Sequence, residues 1–119
     1  EEVWFDDNHI KSLSPEIALL THLKRLSIYK NELTLLPDTV FYMKGLKRLN
    51  VSANCITFLP EIIGNLKSIE VLDINHNQLK TLPSAIGTLK NLQFLYLAGN
   101  GLEGLPESFQ NLKNLLYLN

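Results

Sequence analysis

The chain has 119 residues with 11 basic and 12 acidic side chains, a formal charge of −1, so no bulk field draws it to nucleic acid or to an anionic membrane. At this length one small domain is expected, and 45% hydrophobic content is enough to fill its core. A single cysteine, Cys55, excludes an internal disulfide framework, and no apolar run approaches the roughly 20 residues that a membrane-spanning helix needs.

The chain opens at Glu1 with neither an initiator Met nor a basic-plus-apolar leader, which suggests a processed, trimmed or fragmentary chain. Val3 and Phe5 alternate with polar residues, Ile10 and Leu13 follow, and Ser14-Pro15 ends a first, degenerate unit. Four fuller units come next: LKRLSIYKNELTLLP from Leu23, LKRLNVSANCITFLP from Leu46, IEVLDINHNQLKTLP from Ile69 and LQFLYLAGNGLEGLP from Leu92. A sixth begins at Leu115 and stops at Asn119, partway through its strand.

Alternation at Leu72-Asp73-Ile74 and Leu95-Tyr96-Leu97 predicts short strands with one face inward. Equivalent strands in successive units must run parallel, at about 4.8 Å spacing. The Asn after each strand is expected to turn inward and satisfy backbone groups that the bending chain leaves unpaired. Proline then removes a donor and fixes φ, and Pro60 to Ser68, with Ile63 and Leu66 three apart, predicts a return as a short helix or 3₁₀ piece. In the second unit Phe41-Tyr42 replaces the Gly64-Asn65 and Gly87-Thr88 of later units, which either thickens the outer side or exposes Tyr42.

The period is strict. Leu13, Leu36, Leu59, Leu82 and Leu105 keep a step of 23 residues, as do Asn8, Asn31, Asn54, Asn77 and Asn100, and Leu23, Leu46, Ile69, Leu92 and Leu115. Such self-similarity is the signature of a solenoid. The order L-x-x-L-x-L-x-x-N-x-L-x-x-L-P resembles the leucine-rich repeat family, and EIIGNLKS and SAIGTLKN resemble its 23-residue LPxxIGxLxxL subclass. The resemblance covers essentially the whole chain and is closest in style to leptospiral proteins. It implies one α/β solenoid domain over residues 1–119, a curved horseshoe segment of about five repeats. Parallel strands would line its concave face and short helices or 3₁₀ turns its convex face, with no clear caps. It also implies export to the cell surface or medium, although intracellular eukaryotic scaffolds share the pattern and leave a cytoplasmic address open.

Function in a solenoid sits on positions that the fold leaves free. Four per unit face the concavity: Glu2, Trp4, Asp6 and Asp7; Arg25, Ser27, Tyr29 and Lys30; Arg48, Asn50, Ser52 and Ala53; Val71, Asp73, Asn75 and His76; Phe94, Tyr96, Ala98 and Gly99; then Tyr117. The surface grades from acidic with one tryptophan, through basic, to aromatic. A non-catalytic protein-binding module is therefore expected, with partner contacts drawn from Trp4, Arg25, Tyr29, Arg48, Val71, Asp73, His76, Phe94, Tyr96 and Tyr117, since aromatic residues and Arg dominate interface energetics. The alternatives are the recognition segment of a larger enzyme or signalling protein, and a structural repeat that self-associates through an open C-terminal edge carrying Leu115, Leu116 and Leu118.

No cofactor is expected. Asp6-Asp7-Asn8-His9 carries donors suited to a divalent ion, yet Asn8 belongs to the inward ladder, so a solvated acidic edge is the expectation. Asp73 and His76 suggest an acid–base pair without a nucleophile beside it, on an open sheet that does not exclude water. Cys55 is expected to be a neutral, partly exposed thiol. Lys24, Arg25, Lys30, Lys47 and Arg48 form the one local positive patch expected, and their acidic neighbours argue against nucleic acid.

Overall fold

The computed structural model describes all residues, Glu1–Asn119. Six short strands, β1 (Glu2–Trp4), β2 (Arg25–Ser27), β3 (Arg48–Asn50), β4 (Val71–Asp73), β5 (Phe94–Tyr96) and β6 (Tyr117–Leu118), form one parallel sheet in chain order. Each residue pairs with the one 23 positions on: Glu2 with Arg25, Arg25 with Arg48, Arg48 with Val71, Val71 with Phe94 and Phe94 with Tyr117. Sequence period and sheet register are thus one quantity. Backbone pairing continues past the strands, for example from Ile28 N to Asn50 O and from Lys30 N to Ser52 O.

Behind the sheet lie five 3₁₀ segments, Pro15–Leu19, Asp38–Tyr42, Glu61–Asn65, Ser84–Thr88 and Glu107–Asn111. The last four each follow a proline held extended, as at Pro60 with φ −76° and ψ 157°. Proline lacks the donor that would extend a helix backward, so it marks where helical winding begins. Five residues suit the tighter 3₁₀ winding, which rarely runs long. These segments occupy more width per turn than a strand does, and a stack whose two sides differ in width favours bending with the strands on the inner side.

The core is one cluster of 26 buried apolar residues, drawn from the repeating leucine columns. At the second unit Phe41 enters the core completely while Tyr42 stays 58% exposed, so of the two consequences expected from bulk here, exposure of Tyr42 is realised. Packing decides this: Phe41 is the member of the pair in the column of buried Gly64 and Gly87.

The asparagine ladder holds the bend. Asn54 Nδ2 donates to Ile28 O, Val51 O and Ser52 O at 2.8–3.2 Å, and its Oδ1 accepts from Leu33 N at 2.9 Å. Asn31 and Asn77 repeat the pattern, and Asn100 keeps most of it. Asn8 differs: it is exposed and bonds only Phe5 O and Asp6 O, because β1 pairs with β2 alone. The residue before each asparagine is left-handed, with φ of 55° at Asp7 and Lys30, 52° at Ala53 and His76, and 69° at Gly99. Four non-glycine residues accept that conformation at a cost of about 1–2 kcal/mol each, which shows how strongly the ladder imposes the turn.

Candidate functional site on the strand face

The strand face carries two outward columns, Glu2-Arg25-Arg48-Val71-Phe94-Tyr117 and Trp4-Ser27-Asn50-Asp73-Tyr96. They do not form a uniform surface. A shallow cavity of about 290 Å³ opens over the first four strands and is lined by Trp4, Arg25, Arg48, Val71 and Asp73, with Asn50 and Ser27 in its floor. Half of the expected contact residues therefore converge: Trp4, Arg25, Arg48, Val71 and Asp73. The others lie elsewhere.

Charge inside this cavity is unbalanced. Arg25 pairs with Glu2 on β1, whereas Arg48, its neighbour in register on β3, reaches no carboxylate. Two cations directly opposite one another repel. Glu2 relieves one of them, and on the far side of Arg48 stands apolar Val71. Asp73 lies in the same cavity without pairing to either arginine, and its Oδ1 accepts from Asn75 N at 3.0 Å. Burial pushes the Asp73 carboxyl above the usual carboxylate range, against the opposing effects of that hydrogen bond and of His76.

At the other end of the sheet, the aromatic cluster has a different geometry from the one its column suggests. Tyr117 is in register with Phe94, but its ring packs on Tyr96, with centroids 5.2 Å apart and planes inclined at 42°. Diagonal neighbours on one face stand within reach of long rings, and a tilted pair suits the ring quadrupoles. Phe94 stays half-buried beside this pair, and Tyr117 is exposed.

The remaining candidates stand apart. Tyr29 lies beyond β2 and is exposed, its backbone N–H donating to Asp6 Oδ1 at 2.9 Å. The His76 ring lies over Gly99, where an added Cβ would come within 2.3 Å of Nδ1. Asp73 and His76 share no hydrogen bond, so the acid–base pair does not form. Ser27 and Ser52, expected to face the concavity, are buried: Asp6 accepts from Ser27 Oγ at 2.6 Å, and Asn50 accepts from Ser52 Oγ at 2.6 Å. These short hydroxyls find acceptors close by, Ser27 in the preceding unit and Ser52 in its own, and present little to solvent.

The acidic first unit is dispersed among separate partners. Asp6 holds Ser27 and Tyr29, Asp7 pairs with Lys30 at 2.9 Å, and His9 Nδ1 meets Glu32 Oε1 at 2.7 Å. The His9 hydrogen bond holds the Glu32 carboxyl below its ordinary value, and the Asp7 hydrogen bond raises Lys30. The expected positive patch breaks up for the same reason. Arg25, Lys30 and Lys47 each pair with a carboxylate one unit away, Lys47 with Glu70 at 2.7 Å, which leaves Lys24 and Arg48. Cys55 is partly exposed, as expected.

A single parallel sheet built from 23-residue strand, turn and 3₁₀ units, tied by an asparagine ladder, defines a repeat solenoid. The chain belongs to the leucine-rich repeat family, whose profile matches residues 21–79 and 60–102. Among solved structures it is similar to a leucine-rich repeat protein of Leptospira interrogans, with 40% identity and a TM-score of 0.88 over 92% of this chain and 29% of that one. An internalin of Listeria monocytogenes matches with 27% identity and a TM-score of 0.82, over 99% of this chain and 34% of that one. TLR13, solved as a complex with ssRNA13, matches with 35% identity and a TM-score of 0.83, over 96% of this chain and 17% of that one. The chain thus spans about a third or less of each of these structures. A comparison with curated protein sequences gave no match.

Proposed function

We propose that this chain is a non-catalytic recognition module that binds a partner protein through its concave strand face. The observation that carries the reading is the cavity over Trp4, Arg25, Arg48, Val71 and Asp73, in which Arg48 has no counter-ion. A guanidinium beside an exposed indole, with an apolar neighbour, has the composition of an interface anchor. The Tyr96–Tyr117 pair, with Phe94 beside it, offers a second anchor at the other end of the same face. Tyr29, against Asp6 of the first unit, and His76, over Gly99, lie outside both anchors. Membership of a family whose fold serves as an interaction scaffold supports the same conclusion.

The test uses partners isolated on the immobilised chain and then measured individually by titration. Trp4→Ala with Arg48→Glu, or Phe94→Ala with Tyr96→Ala, should weaken binding by about 30-fold, the loss typical of a 2 kcal/mol anchor. Substitutions at Glu16 and Gln110, on the opposite side, should leave it unchanged. A partner bound equally well by all four proteins would place recognition off the strand face.

A second reading, self-association, is favoured by exposed apolar side chains on and beside β6, where Leu116 is 72% and Leu118 40% exposed. Light scattering over a concentration series should then show a dimer, and a strict monomer at high concentration would remove this reading. The chain as part of a larger enzyme or signalling protein accords with its coverage of its structural neighbours, and the sequence of the complete gene tests that directly.

A further inference from the structure

Outside the strand face a second column keeps the 23-residue step in four of its five positions. Lys44, Lys67, Lys90 and Lys113 each occupy the turn that follows a 3₁₀ segment, at steps of 23 residues, and all four are exposed. None of them pairs with a carboxylate. The acidic residue nearest to Lys67 along the chain, Glu70, is taken by Lys47. Where the column begins with Thr21, Lys24 supplies the missing charge, since its Nζ lies 3.0 Å from where a Cβ on Gly45 would stand.

We infer that this lysine edge is a binding surface for a linear sulfated polysaccharide. Three features support it. First, the spacing is fixed: each lysine N–H bonds back to the end of its 3₁₀ segment, as Lys67 N does to Asn65 O at 2.8 Å. Asn91 Nδ2 donates to Lys67 O and Asn114 Nδ2 to Lys90 O, both at 2.7 Å, so successive turns are stitched together. With about 4.8 Å or more per turn, the four ammonium groups make a row at least about 14 Å long.

Second, the charge has no internal counter-ion, and the one side-chain contact in the row, from Lys67 Nζ to the Thr88 hydroxyl at 3.4 Å, is long and neutral. The carbonyl ends of the 3₁₀ segments favour a cation nearby, but that effect is weak and screened at a surface. A row of like charges repels itself, and a polyanion that releases its condensed counterions on binding relieves that repulsion.

Third, the neighbouring groups suit hydroxyls. With their Nδ2 atoms committed, Asn91 and Asn114 present Oδ1 as acceptors between the lysines. Lys44 and Lys67 flank a groove of about 430 Å³ that also holds Asn65 and Ser68. A polyglutamate has no hydroxyls to donate. Single-stranded RNA is bound on stacking aromatics, of which this edge has Tyr42 alone.

The experiment measures heparin binding by the whole chain across a salt series. Lys67→Gln with Lys90→Gln and Lys113→Gln is compared with Lys11→Gln, Lys30→Gln and Lys80→Gln, which change the net charge equally. The edge variant should lose at least tenfold in affinity at physiological salt, and its plot of log K against log salt should flatten by about 2. The off-edge variant should stay close to the parent, with circular dichroism unchanged in both. Equal losses in the two variants would reduce the effect to net charge and overturn the inference. Tighter binding of poly(U) or polyglutamate than of heparin would overturn it as well.

Discussion

Replacing Asn54 with alanine is the sharpest test of what holds the solenoid together. The side chain is 7% exposed and makes four hydrogen bonds, so every group it leaves can be followed. Three of its partners keep a second contact. Ile28 O retains Asn31 Nδ2, Val51 O retains Asn77 Nδ2, and Ser52 O retains Lys30 N. The Leu33 N–H has no replacement and stays buried. An orphaned buried donor costs about 1–3 kcal/mol, and the three other lost neutral hydrogen bonds about 1 kcal/mol each, so a loss of roughly 4–6 kcal/mol is expected. For a domain with 5–15 kcal/mol of total stability that is a large fraction.

Asn8 supplies the internal control. It belongs to the same column, is exposed, and bonds only two carbonyls of its own unit. Asn8→Ala should cost about 1 kcal/mol or less, since water replaces what is removed. Urea denaturation of both variants, with the slopes checked for two-state behaviour, measures the difference. Similar losses at the two positions would refute the orphaned-donor reasoning and assign the asparagine preference to local turn conformation.

Two further outcomes follow from close packing and from charge. Gly87→Ala should destabilise by at least about 2 kcal/mol, because its Cβ would stand 2.2 Å from Ser108 O, a backbone atom of the next 3₁₀ segment that cannot swing aside; thermal unfolding checks it, and an unchanged midpoint would mean the segments slide freely. Two carboxylates respond with opposite signs. Glu61 accepts from Ala85 N and Ser84 N, which lowers its pKa, so its contribution is present above the unfolded value near 4.3 and lost as pH falls through the folded one. Asp73 is raised by burial, so its ionisation opposes folding as pH rises through its folded value. Asp73→Asn, which keeps an acceptor for Asn75 N just as Asn50 does for Ser52 N, should therefore raise the unfolding midpoint at pH 7 and lose that advantage near pH 3. A midpoint that drops at pH 7 would contradict the burial argument.

The repeat was readable from sequence because backbone register and sequence period are the same number. Strand positions, the inward asparagines and the start of each 3₁₀ segment after proline all follow from it. What the period leaves open is which members of adjacent columns touch. Tyr117 chooses Tyr96 over Phe94, Asp6 folds over Ser27, and three of five expected patch cations find carboxylates one unit away. These are rotamer choices among several partners within reach, and no sequence spacing ranks them. The lysine column keeps the same 23-residue step in the sequence, yet it lies in a turn, away from the strand positions where a solenoid's binding surface is ordinarily sought.

The two surfaces also differ in what they can recognise. On the strand face the column from Glu2 to Tyr117 runs acid, base, base, valine, phenylalanine and tyrosine, so each turn presents a different chemistry at a fixed interval. A partner fitting that column must itself be irregular, with an anionic group for Arg48 at one end and an apolar one for the aromatic pair at the other. A folded protein surface has that property and a polymer of identical units lacks it. The lysine edge is the converse, since Lys44, Lys67, Lys90 and Lys113 present one chemistry four times. A ligand that slides by one turn along it meets the same charge again, so it gains many equivalent registers and the binding entropy that goes with them. If both proposals hold, discrimination belongs to the face whose side chains vary, and avidity for a repeating anion to the edge whose side chains do not.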